Sequence, residues 1–148
     1  MNRFAHLRGK SIYIYGLGQT GLSVARFLLS VGAEVYVWDE SESAQEHALD
    51  VGAVKLMPPQ DVDWSTISFF HKAPGISPNT LAVQKARDYK IEFISDIDLL
   101  YLVAPEATYI GITGTNGKST TTSLVAHILK EAGKNVAMGG NIGIPALE

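Results

Sequence analysis

The sequence contains no cysteine, which removes disulfides, thiolate metal sites and cysteine nucleophiles together and fits a reducing, cytoplasmic setting. It also lacks any run approaching the ~20 apolar residues that a membrane-spanning helix needs. Arg3, Arg8 and Lys10 precede the apolar run Ser11 to Tyr15 as they would in a secretory signal. However, Gln19, Thr20 and Arg26 interrupt the apolar stretch on its C-terminal side, and no small-residue cleavage site closes it. A cytoplasmic chain without membrane insertion is therefore expected. Positive charge is not in excess either: 12 Lys and Arg stand against 15 Asp and Glu, a net charge of −3. Without a basic stripe nucleic acid is an unpromising partner, and an anionic ligand would have to be held by loops and helix N-termini. The remaining composition, 46% hydrophobic and 18% charged over 148 residues, is that of a globular protein with one core or two small ones, and a monomer is the default expectation.

Along the chain, Ser11 to Tyr15 is short, β-branched and aromatic, and it runs into Gly-Leu-Gly. Leu22, Val24, Ala25, Phe27, Leu28 and Val31 then recur at helical spacing, with Gly32 as the stop. Glu34 to Trp38 reads as a second strand, completing one strand–helix–strand unit by Asp39. Further strands are expected at Val54 to Leu56, Ile67 to Phe70 and Ile91 to Ile94, with helices at Ser43 to Val51, Asn79 to Tyr89 and Asp96 to Val103. Such alternation predicts an α/β fold: a parallel sheet with helices on both faces and right-handed crossovers. Pro105-Glu106-Ala107 marks a boundary between a first unit, residues 1–105, and a second, 106–148. In the second the pattern restarts with a strand at Thr108 to Thr113, a glycine loop, a helix from Lys118 to Ala132 and a strand at Asn135 to Met138. It reaches residue 148 with only two expected strands, so the second unit reads as the truncated start of a longer domain.

Two glycine loops carry the chemistry. In Gly111-Ile-Thr-Gly-Thr-Asn-Gly-Lys-Ser119, successive backbone N–H groups can cradle phosphate at a helix N-terminus, as in a P-loop. Lys118 would reach the β and γ phosphates, and Ser119 stands where a hydroxyl would ligate Mg²⁺. The strict pattern wants glycine at position 112, where this chain has Ile112. The helix behind the loop carries Leu124, Val125, Ile128 and Leu129 as one apolar stripe suited to a sheet, with His127 beside it as a packed or partly exposed residue. The first loop, Gly16-Leu-Gly-Gln-Thr-Gly21, has G-x-G-x-x-G spacing between strand and helix and is followed by Asp39 at the second strand's end, a Rossmann-like arrangement. Asp39 could accept a ribose hydroxyl or simply begin the next turn. This loop alone does not separate NAD from another nucleotide diphosphate.

Gly114-Thr-Asn-Gly-Lys-Ser-Thr-Thr121 resembles the ATP loop of the Mur ligases and of the folylpolyglutamate synthases, which make amide bonds through acyl phosphates. A leading Rossmann-like unit directly before that loop resembles the Mur ligases. Within them the order of Gly16–Gly21, Ala73-Pro-Gly-Ile76 and Gly139-Gly-Asn-Ile-Gly143 is similar to the D-glutamate-adding branch. The L-alanine-adding branch, which usually carries His where Asn116 stands, is the nearest alternative. An NAD-binding oxidoreductase or regulatory module, or a non-catalytic nucleotide-binding module, is the alternative from outside the family.

The resemblance implies ATP and Mg²⁺ as cofactors and UDP-N-acetylmuramoyl-L-alanine and D-glutamate as substrates. Gly114, Thr115, Asn116, Gly117, Lys118, Ser119 and Thr120 would hold ATP, with Lys118 catalytic and Ser119 on the metal. Gly18, Gln19 and Thr20 would face the UDP diphosphate, Asp39 and Glu40 the uridine, and Gly75 the nucleotide; Asn141 would approach the sugar nucleotide from the second unit. His71 and Lys72 depart from the small residue expected before Ala73-Pro-Gly-Ile. They would add positive charge near the diphosphate or else be solvated at a strand end. Further metal ligands and the amino-acid site are implied beyond Glu148, so residues 1–148 alone are expected to be inactive.

Overall fold

The computed structural model describes residues 4–140 and 144–147. Its centre is a five-stranded sheet in which every pairing is parallel, in the order β3-β2-β1-β4-β5. The strands are β1 (Ser11–Tyr15), β2 (Glu34–Trp38), β3 (Lys55–Leu56), β4 (Phe69–Lys72) and β5 (Glu92–Phe93). Among the described residues the helices are α1 (Gln19–Ser30), α2 (Glu42–Leu49), α3 (Leu81–Asp88), α4 (Asp96–Val103) and α5 (Lys118–Glu131), with a 3-10 turn at Trp64–Thr66.

Because alternate strand residues point to opposite faces, the sheet makes two cores. Ile12, Ile14, Val35 and Val37 face one side, where Val24, Ala25 and Leu28 of α1, Ala48 of α2 and Leu99 of α4 cover them. Tyr13, Tyr15 and Phe70 face the other, against Trp64 and the Ala82, Val83 and Ala86 face of α3. The second core is largely aromatic: Tyr13 stacks on Phe70 with centroids 5.9 Å apart, and Trp64 packs 5.0 Å from Tyr13. Tyr13 donates its hydroxyl to the Met57 carbonyl. A phenol so enclosed is held far above its ordinary pKa, chiefly by burial.

Local signals explain the ends. Gly32, with φ of +83°, takes the left-handed position just past α1. Ser95 and Asp98 form a reciprocal capping box that starts α4. The strand and helix limits agree with the sequence reading within about two residues, the usual uncertainty at such ends.

The second unit differs from the expectation. Residues 108–113 and 135–138 form no strands, because a strand exists only through hydrogen bonds to a neighbour and among the described residues these segments have none. The apolar stripe of α5 consequently packs on no sheet: Leu124 and Ile128 are more than half exposed, and Ala126 is the buried residue of the helix. His127 is exposed. Tyr109 ties this segment to α4, donating to the Ala104 and Leu100 carbonyls while its ring stacks on Tyr101.

Candidate functional site

In the strand order, the chain steps outward from β1 through β2 to β3, then returns to the far side of β1 as β4. That reversal is the switch point at which open parallel sheets bind ligands beyond their strand ends. Three segments meet there: the Gly16–Gly21 loop after β1, Asp39 and Glu40 after β2, and Ala73–Ile76 after β4. Gly16 donates its N–H to Trp38 O at 2.8 Å, and Ala73 donates to Tyr15 O at 2.9 Å, so adjoining strands clamp the loop from both sides.

The glycines of this loop serve different ends. Gly16, at φ +99°, would place a Cβ 2.7 Å from Ala73 Cβ; it lets the β1 and β4 loops touch. A Cβ on Gly21 would lie 1.9 Å from Gly16 O, so Gly21 lets α1 close on the strand. Gly18 and Gly75 are otherwise: neither has a left-handed φ, and a Cβ on either would meet nothing within 4 Å. Gly18 is also the N-cap of α1 and brings no side-chain cap, so Gln19 and Thr20 open a helix whose first amides have no side-chain acceptor.

Asp39 is anchored rather than loose. Its Oδ2 accepts from Leu17 N at 2.6 Å and its Oδ1 from Ser41 N at 2.9 Å, while Gln45 donates to its backbone carbonyl. The carboxylate thus joins the β2 end to the first glycine loop and also begins the next turn. Glu40, exposed, accepts at Oε1 from the Tyr15 hydroxyl. Burial first, and the bond to Glu40 second, push the Tyr15 phenol up to about 12, so it stays a proton donor.

His71 and Lys72 correct the sequence reading. His71 is neither a solvated strand end nor a positive charge: it is 1% exposed, opposite Ile14 in the sheet, and Nδ1–H donates to the Ile94 carbonyl at 2.9 Å. Burial holds its pKa below the ordinary histidine value, opposed by the Ile94 bond and by Asp96; its Nε2 is buried without a hydrogen-bond partner. Lys72 turns back on its own loop and donates to Ile76 O at 2.7 Å and Ala73 O at 3.1 Å, fixing the Ala73-Pro-Gly-Ile76 turn. Nothing in the sequence flagged Tyr15 as the partner of Glu40; β1 and β2 are joined in the fold, not in the chain.

At the second loop, Gly114 (φ +157°) and Gly117 (φ +75°) supply the backbone that L side chains adopt rarely, and Gly117 is the N-cap of α5 with no side-chain cap. Lys118 is exposed and donates to Gly114 O at 2.5 Å, lying back over the loop. Thr115, Asn116, Ser119 and Thr120 are all exposed around it. The structure therefore places Gly114–Thr120 together on one surface and Gly18–Thr20, Asp39, Glu40 and Gly75 on another. Gly140 closes a turn by donating to Ile144 O; Asn141 lies outside the described residues.

With that geometry, comparison with known proteins is informative. A family profile described as Mur ligase MurD-like, N-terminal domain, matches residues 10–95, and one described as Mur ligase middle domain matches residues 112–147. The chain is 41% identical over 148 residues to the UDP-N-acetylmuramoylalanine--D-glutamate ligase of Wolbachia sp. subsp. Brugia malayi, covering 95% of this chain and 30% of that protein. It is 42% identical to the protein of the same name from Mesorhizobium japonicum, covering 94% and 31%. The chain thus spans about 30% of the length of the curated relatives it matches. Among solved structures, the UDP-N-acetylmuramate:L-alanyl-gamma-D-glutamyl-meso-diaminopimelate ligase of Neisseria meningitides aligns over 91% of this chain and 45% of its own, with a TM-score of 0.54 and 21% identity. That likeness establishes the fold alone.

Proposed function

Since this chain belongs to the Mur ligase family, we propose that it supplies the nucleotide-binding parts of an ATP-dependent ligase joining D-glutamate to UDP-N-acetylmuramoyl-L-alanine. Residues 1–105 form the UDP-binding domain and residues 106–148 begin the ATP-binding domain. The observation that carries this reading is Gly18 and Gly75: at the switch point two glycines remain for which neither φ nor neighbouring protein atoms demand glycine. At Gly75 close approach of a ligand's phosphates to bare backbone is the physical reason left, and at Gly18 it stands beside glycine's fitness as an N-cap. Gln19 and Thr20 offer the first amides of α1 to the diphosphate, Asp39 holds the loop in shape, and Glu40 faces the uridine. The family resemblance assigns Asn141, which lies outside the described residues, to the sugar nucleotide.

At the second loop, the amides of Gly114–Thr120 and the left-handed Gly117 fit a polyphosphate. Lys118 leaves the carbonyls of its own loop to neutralise the transferred γ-phosphoryl group, which is how such sites lower their barrier. Ser119 fits one Mg²⁺ position as a hydroxyl ligand. Among the described residues no group of three or more His, Cys, Asp or Glu side chains could hold a metal, so Ser119 would contribute a single hydroxyl contact rather than a closed site. Mg²⁺ supplies charge neutralisation at the phosphates when bound; Lys118 and the loop amides do the orienting. The substrate's terminal carboxylate would take the γ-phosphoryl group from ATP as ADP leaves, and the amine of D-glutamate would then displace inorganic phosphate from that acyl phosphate to form the amide.

Calorimetric titration of this chain with UDP and with NAD⁺ tests the reading. Saturable heat with UDP and none with NAD⁺ is expected. Tight NAD⁺ binding without a response to UDP would overturn it in favour of a dinucleotide-binding module.

A further inference from the structure

Two acidic side chains stand where β2 ends, and the structure treats them differently. Asp39 has both carboxylate oxygens engaged by backbone N–H groups, Leu17 and Ser41, and its carbonyl engaged by Gln45. Its position is spent on shaping the loop. Glu40 has one oxygen, Oε1, engaged by Tyr15 at 2.5 Å, and Oε2 has no hydrogen-bond partner among the described residues. Tyr15 is the last residue of β1, paired with Trp38, and is 4% exposed. Its side chain belongs to the largely aromatic second core, and its hydroxyl donates to Glu40 just past the end of β2. A long glutamate side chain on the surface would ordinarily sample many rotamers; here a rigid phenol selects one.

We propose that Tyr15 is a positioning residue for base recognition: it fixes the Glu40 carboxylate so that Oε2 accepts the imide N–H of a uracil ring, giving the site a preference for uridine over cytidine nucleotides. This rests on the uridine reading above. The chemistry follows from the donor inventory. An ionised carboxylate only accepts hydrogen bonds. Uracil presents N3–H, a donor, toward such a group. Cytosine presents an N3 lone pair at that place, so its lone pair would oppose the carboxylate. Without Tyr15 the carboxylate is still present but no longer held, and the discrimination weakens rather than disappears.

Calorimetry with UDP and CDP on this chain and on Tyr15→Phe and Glu40→Gln tests the proposal. The wild-type chain should favour UDP. Glu40→Gln, an exposed position expected to fold normally, can turn its amide N–H₂ toward the base and should reduce the UDP:CDP affinity ratio roughly tenfold or more, the scale of a hydrogen bond to a charged group. Tyr15→Phe keeps the ring in the core and should lower the same ratio by a smaller factor, which a merely structural tyrosine would leave untouched. An unchanged ratio in Tyr15→Phe, with UDP still bound, would overturn the proposal while leaving the uridine reading intact. Binding of neither nucleotide by the wild-type chain would overturn both.

Discussion

The two glycine loops are written in a similar alphabet, yet the fold holds them in different ways. The first is clamped between strands: Gly16 bonds to β2, Ala73 of the neighbouring loop bonds to β1, and Asp39 bonds to Leu17. Its helix buries Val24, Ala25 and Leu28 completely. The second is held mainly by itself. Lys118 lies back on Gly114 O, and α5 leaves Leu124 at 56% and Ile128 at 55% exposure. A glycine motif thus encodes which backbone turns are open to a loop, whereas the strands around it decide which one is occupied.

Glycine substitutions sharpen that contrast, and the largest effect belongs to the clamped loop. In Gly21→Ala the new Cβ would sit 1.9 Å from Gly16 O. Backbone cannot yield as a flexible side chain can, so α1 must lift off β1. A loss of about 3 kcal/mol is expected, the upper part of the range for overpacking. Gly117→Ala in the second loop meets no atom within 4 Å and suffers only from its φ of +75°, which costs about 1–2 kcal/mol locally. Urea denaturation followed by tryptophan fluorescence reports on Trp38 and Trp64, both in the first unit. Its midpoint should fall steeply for Gly21→Ala and barely move for Gly117→Ala. Equal shifts would mean that the two loops are fixed alike.

Much of the first unit is legible in the sequence because its signals are local. β1, β2 and α4 begin and end as read, since alternation, the glycine stop at Gly32 and the Ser95–Asp98 capping pattern all lie within a few residues of what they determine. The second unit's strands were not legible as structure: β propensity at Thr108 to Thr113 describes a segment able to pair, and pairing depends on a neighbour. The site shows the same division. The loop glycines are visible in the sequence, but Tyr15 and Glu40 are 25 positions apart and His71 and Ile94 are 23 apart. Only the register of the sheet joins them. The polar appearance of His71-Lys72 suggests solvent, whereas the fold buries His71 opposite Ile14 of β1 with Nδ1–H on the Ile94 carbonyl and turns Lys72 back over its own loop.

His71 gives an intermediate effect with a definite sign. Its folded pKa lies below the ordinary 6.5 because burial disfavours the imidazolium. As pH falls through about 6.5 the unfolded chain takes up this proton first, so stability is full above that pH and declines below it, until the folded form also protonates. His71→Asn retains an N–H donor for the Ile94 carbonyl and removes the titration. Between pH 7.5 and pH 5, the denaturation midpoint of the wild-type chain should fall further than that of the variant. Parallel declines would remove His71 from the acid sensitivity of the first unit.

The smallest effect on stability is expected where the effect on binding is specific. Gly18 and Gly75 flank the switch point, and neither is required by the polypeptide: both have ordinary φ, and a methyl group at either enters open space. Gly75→Ala should therefore move the denaturation midpoint by no more than about 0.5 kcal/mol, as for a surface substitution away from special features, and Gly18→Ala by up to about 1 kcal/mol, because alanine is a poorer N-cap than glycine. If a diphosphate passes over this backbone, however, the methyl occupies ligand volume rather than protein volume. UDP affinity should then drop roughly tenfold, the equivalent of about 1–3 kcal/mol of overpacking transferred to the complex. The two measurements together separate the possible roles of these glycines. Lost stability would assign them to the fold, like Gly16 and Gly21. Intact stability with intact UDP affinity would move the diphosphate elsewhere, and intact stability with weakened UDP binding would leave ligand approach as the reason glycine stands at both positions.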